Sequence, residues 1–179
     1  MRIISGTHKG KRLTAPKNLP VRPTTDFAKE SLFNILNNRI DFFETKVLDL
    51  YSGTGNIAYE FASRGSEHIT AVDKHFGCCK YISKTAEELD FPIRVVKSDV
   101  FGFLDKHTET YDLIFADPPY ALERSDFEAI VEKVMAGSLL NEDGDLIIEH
   151  PKHTDLSHMD SFDEVRRYGG SCFSFFKKK

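Results

Sequence analysis

Residues 47–65 read VLDLYSGTGNIAYEFASRG. The apolar run VLDL stops at a loop holding Gly53 and Gly55, and NIAYEFASRG then spaces its apolar residues as a helix does, with Gly65 as a stop. A strand that passes through a tight glycine loop into a helix opens a βαβ unit. Glycines in such a loop let the backbone approach a ligand closely, beside the N–H groups at the helix start.

Working outward from this unit, strand and helix patterns alternate. HITAVD reads as a second strand, residues 75–89 as a helix, IRVVKSD as a third strand and YDLIFAD as a fourth. SDFEAIVEKVMAGSLL begins with Ser125 and Glu128 at capping-box spacing and places Phe127, Ile130, Val131 and Val134 on one face. GDLIIEH is a fifth strand; FDEVRRY and SCFSFF, joined by Gly169 and Gly170, form a closing β-hairpin. Upstream, TTDFAKESLFNILNNR is a helix capped by Thr24 or Thr25, with Asp26 in its first turn and Ala28, Leu32, Ile35 and Leu36 sharing a face. Residues 1–23 form a hairpin-like arm, RIISGTHKGKRLTAP, and a link punctuated by Pro16, Pro20 and Pro23. The expected organisation is this arm followed by one domain over residues 24–179. Alternation of this kind predicts an α/β fold with a parallel sheet covered on both faces. Ligands bind such sheets at the carboxyl ends of the strands.

Four strands carry an aspartate at or near that end: Asp49, Asp73, Asp99 and Asp117. One strand-end aspartate is commonly a turn residue or a helix cap. Four at corresponding ends of one sheet surround a single crevice. Gly53, Gly55 and Ala58 also satisfy the dinucleotide pattern G-x-G-x-x-A, and Asp73 follows Gly53 at the spacing of a ribose-binding acid. Against a nicotinamide cofactor stands Asp49, just before the glycines, where a carboxylate would repel a pyrophosphate but attract an ammonium. S-adenosylmethionine (SAM) presents an ammonium, a ribose diol and an adenine amine, each able to meet an acid. Asp49 is then assigned to the ammonium, Asp73 to the ribose hydroxyls and Asp99 to the adenine, with Lys74 and Val100 as packing or bonding neighbours.

LIFADPPY, residues 113–120, supplies the other half of the chemistry. Pro118 and Pro119 fix the backbone and remove two donors, so the strand ends at Asp117 with Tyr120 on a stiffened turn. An exocyclic amine on a nucleobase is a poor nucleophile because its lone pair is delocalised into the ring. Asp117 and the Pro118 carbonyl can accept its two N–H hydrogens and hold the nitrogen at about 3–3.5 Å from a methyl group. Tyr120 can stack on a base that has left its helix.

Composition narrows the setting. With 179 residues, 40% hydrophobic and 29% charged, the chain has the profile of one soluble globular domain. The start is basic but turns polar where a signal peptide would become apolar, and no apolar run approaches the ~20 residues of a transmembrane helix. The three cysteines suggest neither a disulfide framework nor a metal site, so a cytoplasmic location is expected. The net charge is −4, yet residues 1–23 carry six cations and no acid, and the sequence finishes on Lys177, Lys178 and Lys179. A basic arm on an acidic body suits contact with phosphates through Lys9, Lys11 and Arg12. Cys78 and Cys79 are read as packing residues in mid-helix, and Phe173, Phe175 and Phe176 as core. His150 and His153 flank a proline with no companion ligands, so no metal is expected.

The chain resembles the RsmD family, bacterial methyltransferases that modify a guanine N2 in 16S ribosomal RNA. The resemblance rests on MRIISGTHKGKRL, RPTTDFAKESLFNIL, VLDLYSGTGNIAYEFASRG, IFADPPY and YGGSCFSFF. The glycine loop and DPPY occur in many amino-methyltransferases; the arm together with RPTTD is more specific. The resemblance implies a Rossmann-like class I SAM-dependent fold, a seven-stranded, mostly parallel sheet whose last hairpin adds an antiparallel strand. It implies an rRNA substrate within partly assembled small subunits, and Arg22, Thr24 and Thr25 where the first helix meets the site. A monomer is expected. Phe27 stands where members usually carry a basic residue, and YSGTGNIAYE replaces the commoner FAGSGALGLE, making Asn56 and Tyr59 unusual. Other readings stay open at this point: an amino-methyltransferase for DNA or a protein amide, an RNA-binding module without catalysis, and a nicotinamide oxidoreductase.

Overall fold

A computed structural model describes all 179 residues. Seven strands form one sheet: β1 (Lys46–Leu50), β2 (His68–Asp73), β3 (Ile93–Lys97), β4 (Tyr111–Ala116), β5 (Leu140–Pro151), β6 (Phe162–Tyr168) and β7 (Ser171–Lys177). Their spatial order is β3-β2-β1-β4-β5-β7-β6. The first five are parallel, and β7 enters antiparallel between β5 and β6. This is the Rossmann-like, seven-stranded and mostly parallel arrangement that the resemblance implied. The chain winds outward from β1 to β3, then restarts at β4 on the other side of β1, so the switch point lies between β1 and β4.

Side chains of alternate strand residues enter opposite layers, as the pleat requires. Val47, Phe115 and Ile147 pack in one layer with α1 (Asp26–Leu36), α2 (Asn56–Ser63) and α3 (Phe76–Glu88). Leu48, Ile114 and Leu146 pack in the other with α4 (Val100–Lys106) and α5 (Arg124–Ala136). Phe173, Phe175 and Phe176 are fully buried in these layers, as their reading as core required. No helix is long and apolar enough to cross a membrane.

Several local expectations change. The sequence showed no helix between the third and fourth strands, yet α4 occupies residues 100–106; seven residues are too short for a periodic signal to stand out. The capping box of α5 is not built on Ser125 and Glu128. The helix starts at Arg124, and Asp126 reaches back to accept the Glu123 N–H at 3.0 Å, which leaves Ser125 inside the first turn. Cys78 and Cys79 are buried in the first turn of α3, not in mid-helix, because His75 caps that helix with Nδ1 on the Cys78 N–H. β5 begins at Leu140, ahead of GDLIIEH. Thr25 is the α1 cap, accepting from the Ala28 N–H at 3.2 Å.

The arm is docked on the body. A single antiparallel bridge joins Arg2 to Arg12, and the Leu13 N–H donates to the Met1 carbonyl at 3.0 Å. Ile3 is 1% exposed. The Ile4 and Ser5 N–H groups donate to the Glu60 carboxylate at 2.9 and 3.0 Å. Gly6 lies so close to the end of α2 that a Cβ there would come within 1.7 Å of the Ser63 carbonyl oxygen. Beneath the arm, Lys29 Nζ lies 3.4 Å from Glu60 and Arg64 Nε 2.9 Å from it, a buried ion cluster joining α1, α2 and the arm.

Candidate functional site

The carboxyl ends of β1, β2 and β4 open onto a cavity of about 580 Å³. It lies at the switch point, where a doubly wound sheet leaves a crevice. Asp49, Gly53, Asp73, Lys74, Asp99 and Val100 line it on one side. Asp117, Pro118, Pro119 and Tyr120 line it on the other, with Arg22, Thr24 and Thr25 at its entrance from the link into α1. Lys9, Lys11 and Arg12 are not among the lining residues. The arm runs along α2, with Met1 beside Thr54 and Thr7 beside Ser63, so Lys9 lies toward the end of α2 away from the cavity.

The four acids have distinct surroundings. Asp49 is 1% exposed, and its Oδ2 has no hydrogen-bond partner. Burial pushes its carboxyl well above the usual carboxylate range, and the charge of Asp73 adds to that push against the opposing backbone N–H of Ala58. A buried carboxylate oxygen without a donor is costly in a ligand-free site and becomes an attraction for a ligand cation. Asp73 uses its carboxylate to clamp the glycine loop, accepting the Gly53 N–H at 2.9 Å and the His75 N–H at 2.8 Å. The same residue lines the cavity.

Asp99 does not end the third strand. β3 stops at Lys97, and Asp99 caps α4 through the Gly102 N–H at 2.8 Å. It lines the cavity from a helix start, with part of its acceptor capacity already used. Gly55 stands behind the wall rather than in it. Its φ is +87°, and a Cβ there would come within 2.6 Å of the Tyr59 ring. Gly53, at φ +55°, faces the cavity itself.

Asp117 follows directly on β4, and its N–H donates to the Leu50 carbonyl at 3.3 Å. Burial raises its carboxyl well above the ordinary range, the charges of Glu149 and Asp49 raise it further, and Arg22 opposes them. Tyr120 is held firmly. The Arg22 guanidinium lies 4.7 Å from its ring centroid, covering one face. Its hydroxyl donates to Glu149 Oε1 at 3.0 Å and lies 2.7 Å from Ser171 Oγ.

Glu149 and Ser171 escaped the sequence reading. Glu149 is 3% exposed, lines the cavity, and accepts from Thr24 Oγ1 at 2.6 Å through Oε2. The available signal was a single acid inside the apolar run DLIIEH, two residues beyond Ile147 and therefore directed into the same layer. His150, by contrast, is spent on packing: it is buried and bonded to Ser174 Oγ and the Pro151 carbonyl.

Comparison with known proteins bears on the chain as a whole. The profile of a family described as "Conserved hypothetical protein 95" matches residues 1–177. YlbH of Bacillus subtilis (strain 168) is 33% identical over 161 residues, 87% of this chain and 85% of its own. Ribosomal RNA small subunit methyltransferase D of Escherichia coli (strain K12) is 31% identical over 121 residues, covering 67% of this chain and 60% of that protein. Among solved structures, yhhF of Escherichia coli superposes with a TM-score of 0.86 at 24% identity, covering 100% of this chain and 98% of its own.

Proposed function

As the chain belongs to the family of conserved hypothetical protein 95, the RsmD methyltransferases, we propose that it transfers a methyl group from SAM to the exocyclic N2 amine of a guanine in 16S rRNA. The observation that carries the reading is one cavity whose lining brings together Asp49, a buried carboxylate with one unpartnered oxygen, and the DPPY turn. SAM supplies a sulfonium methyl that an amine lone pair can displace without a metal. The chain's own residues do the rest.

Asp49 is the acceptor for the ammonium of the donor, and Asp73 for its ribose hydroxyls. Asp99 keeps one oxygen for the adenine edge, with Val100 packed beside it. Gly53 keeps the loop low enough for the ligand to pass. On the opposite wall Asp117 and the Pro118 carbonyl accept the two hydrogens of the guanine amine, which orients the nitrogen lone pair toward the methyl group. The transfer would leave S-adenosylhomocysteine and a positive nitrogen, and the Asp117 carboxylate that accepts the amine hydrogen is the group that would take the proton this nitrogen sheds. The buried Asp117 carboxylate stabilises that charge. Tyr120 offers the guanine its uncovered face, and Pro119 stiffens the turn. Arg22, Thr24 and Thr25 shape the entrance, and Lys9, Lys11 and Arg12 on the arm meet RNA phosphates away from the cavity. The protein acts as a monomer in the cytoplasm, on rRNA within a partly assembled small subunit.

The test is transfer from methyl-labelled SAM to immature small-subunit particles, free 16S rRNA, duplex DNA and a protein amide substrate, followed by mapping of the modified nucleotide. Label on a guanine N2 of the particle is the expected result. Label confined to DNA or protein would overturn the substrate assignment.

A further inference from the structure

The DPPY turn carries the reacting amine's partners, yet a turn of two prolines has few donors of its own to anchor it. Its anchor lies elsewhere. Tyr120 donates its only hydroxyl proton to Glu149 Oε1 at 3.0 Å and takes one from Ser171 Oγ at 2.7 Å, so it is pinned from β5 and β7 together. The other oxygen of Glu149 is engaged by Thr24 Oγ1 at 2.6 Å. The Thr24 carbonyl accepts Asn56 Nδ2 at 3.0 Å, and Asn56 Oδ1 accepts Lys29 Nζ at 2.8 Å. Lys29 Nζ also donates to the Arg2 carbonyl of the arm at 2.5 Å. Every side chain between the arm and Tyr120 in this series, namely Lys29, Asn56, Thr24 and Glu149, is at least nine-tenths buried. Each makes two bonds, one toward the arm and one toward the site.

We propose that Glu149 is the positioning residue for Tyr120, and that the buried chain Lys29–Asn56–Thr24–Glu149 couples the docked arm to the DPPY turn. The inference rests on the methyltransferase reading above and names what sets the geometry of that site. Buried polar networks of this kind are cooperative, because a chain of hydrogen bonds in low dielectric polarises from end to end and loses its advantage when one link is missing. Losing Glu149 frees the Tyr120 ring to turn under Arg22, so a stacked guanine no longer holds its amine in line with the methyl group. A small misplacement at a reacting centre is costly in rate while leaving donor binding alone. The arm then has a second office besides meeting phosphates: its seat on Lys29 and Glu60 sets the entrance residue Thr24.

The experiment is single-turnover methylation of immature small-subunit particles by the full-length chain, with SAM affinity by calorimetry and folding by circular dichroism. Glu149→Gln should lower kcat about ten- to a hundredfold, the scale of a hydrogen bond to a charged group, with SAM affinity within about twofold of wild type. Thr24→Val removes the hydroxyl link at nearly constant shape and should act in the same direction, whereas Thr24→Ser should restore the rate. Asn56→Ala breaks the chain two links before Tyr120, with no hydrogen bond to that ring; because Asn56 also lines the cavity, its SAM affinity is measured beside its rate. Its effect on kcat should be less than additive with Glu149→Gln, since distant independent sites add and members of one network do not. Folded Glu149→Gln and Thr24→Val proteins that both turn over at the wild-type rate would overturn the positioning role. Strict additivity between Asn56→Ala and Glu149→Gln would overturn the coupling. A wild-type protein that leaves rRNA unlabelled would instead overturn the substrate reading itself.

Discussion

Glu60 and Asp49 are both carboxylates almost wholly withdrawn from water, at 0% and 1% exposure. They differ in company. Glu60 accepts two backbone N–H groups of the arm and the Arg64 guanidinium, with the Lys29 ammonium 3.4 Å away. Asp49 has an oxygen with no partner. The first is a charge whose burial is fully compensated, and it ties arm, α1 and α2 into one piece. The second is a buried acid that the chain itself leaves with an open oxygen. Here the satisfied buried acid ties elements together, and the unsatisfied one fits the donor-binding role proposed above.

The comparison breaks most visibly at Glu60. Glu60→Gln leaves Lys29 and Arg64 buried without their counter-charge, which costs about 3–5 kcal/mol. At roughly 2–4 °C per kcal/mol for a domain of this size, the melting temperature should fall by about 6–20 °C. Scanning calorimetry measures it, and a fall of a degree or two would mean that the cluster relaxes into water.

On the other side of the comparison, Asp117→Asn should fold normally and lose rate. It keeps the shape and one acceptor oxygen but removes the charge that stabilises a developing cation, worth on the order of 3 kcal/mol or a hundredfold in kcat. A wild-type single-turnover rate would reduce Asp117 to a strand terminator. Asp73→Ala stands between the two acids, because that carboxylate serves both loop and ligand. It should weaken SAM by about ten- to a hundredfold, from the 1.5–3 kcal/mol of bonds to a charged acceptor. Freed Gly53 and His75 N–H groups should also lower the melting temperature, and titration calorimetry with a parallel melt separates the two effects.

The smallest effect should be a gain. The folded protein holds the Asp49 proton more tightly than the unfolded chain does. Its contribution to stability is therefore complete below about pH 3.9 and is lost as pH rises through the raised folded value. At neutral pH the ligand-free wild type carries this strain and Asp49→Asn does not. That variant should melt about 2–4 °C higher, for roughly 1 kcal/mol, while losing SAM affinity. Melts across the acid-to-neutral range check the sign. A variant less stable than wild type at neutral pH would mean that Asp49 is a structural acid after all.

Much of this was legible in the sequence, and what was missed has physical causes. Alternating strand and helix patterns, glycines at a strand–helix turn and prolines after an apolar run are local signals, and they located β1 to β5 and the DPPY turn. The Gly169–Gly170 hairpin was equally local. The arm's hold on Glu60 was not, because Ile4 and Ser5 lie more than fifty positions from that acid and contribute through backbone N–H groups that every sequence possesses. Glu149 looked like one acid in a strand; only the register that sets Ile147 beside Phe115 directs it to the cavity. Asp99 carried a signal that fitted two roles, strand end and helix cap, and α4 was too short to decide between them.

The insertion of β7 between β5 and β6 has a consequence for how the protein is made. β5 pairs with β4 on one side, but its other edge waits for β7, which follows it in the chain by a whole strand and turn. While a ribosome is still synthesising residues 152–177, the apolar edge of β5 is open and Ser171 has not yet reached Tyr120. Open edges of this kind pair promiscuously, so the nascent chain passes through an aggregation-exposed stage. It also passes through it without a finished site. On the proposed reading, methylation waits until the hairpin has closed, so strand order itself sets when the site is completed.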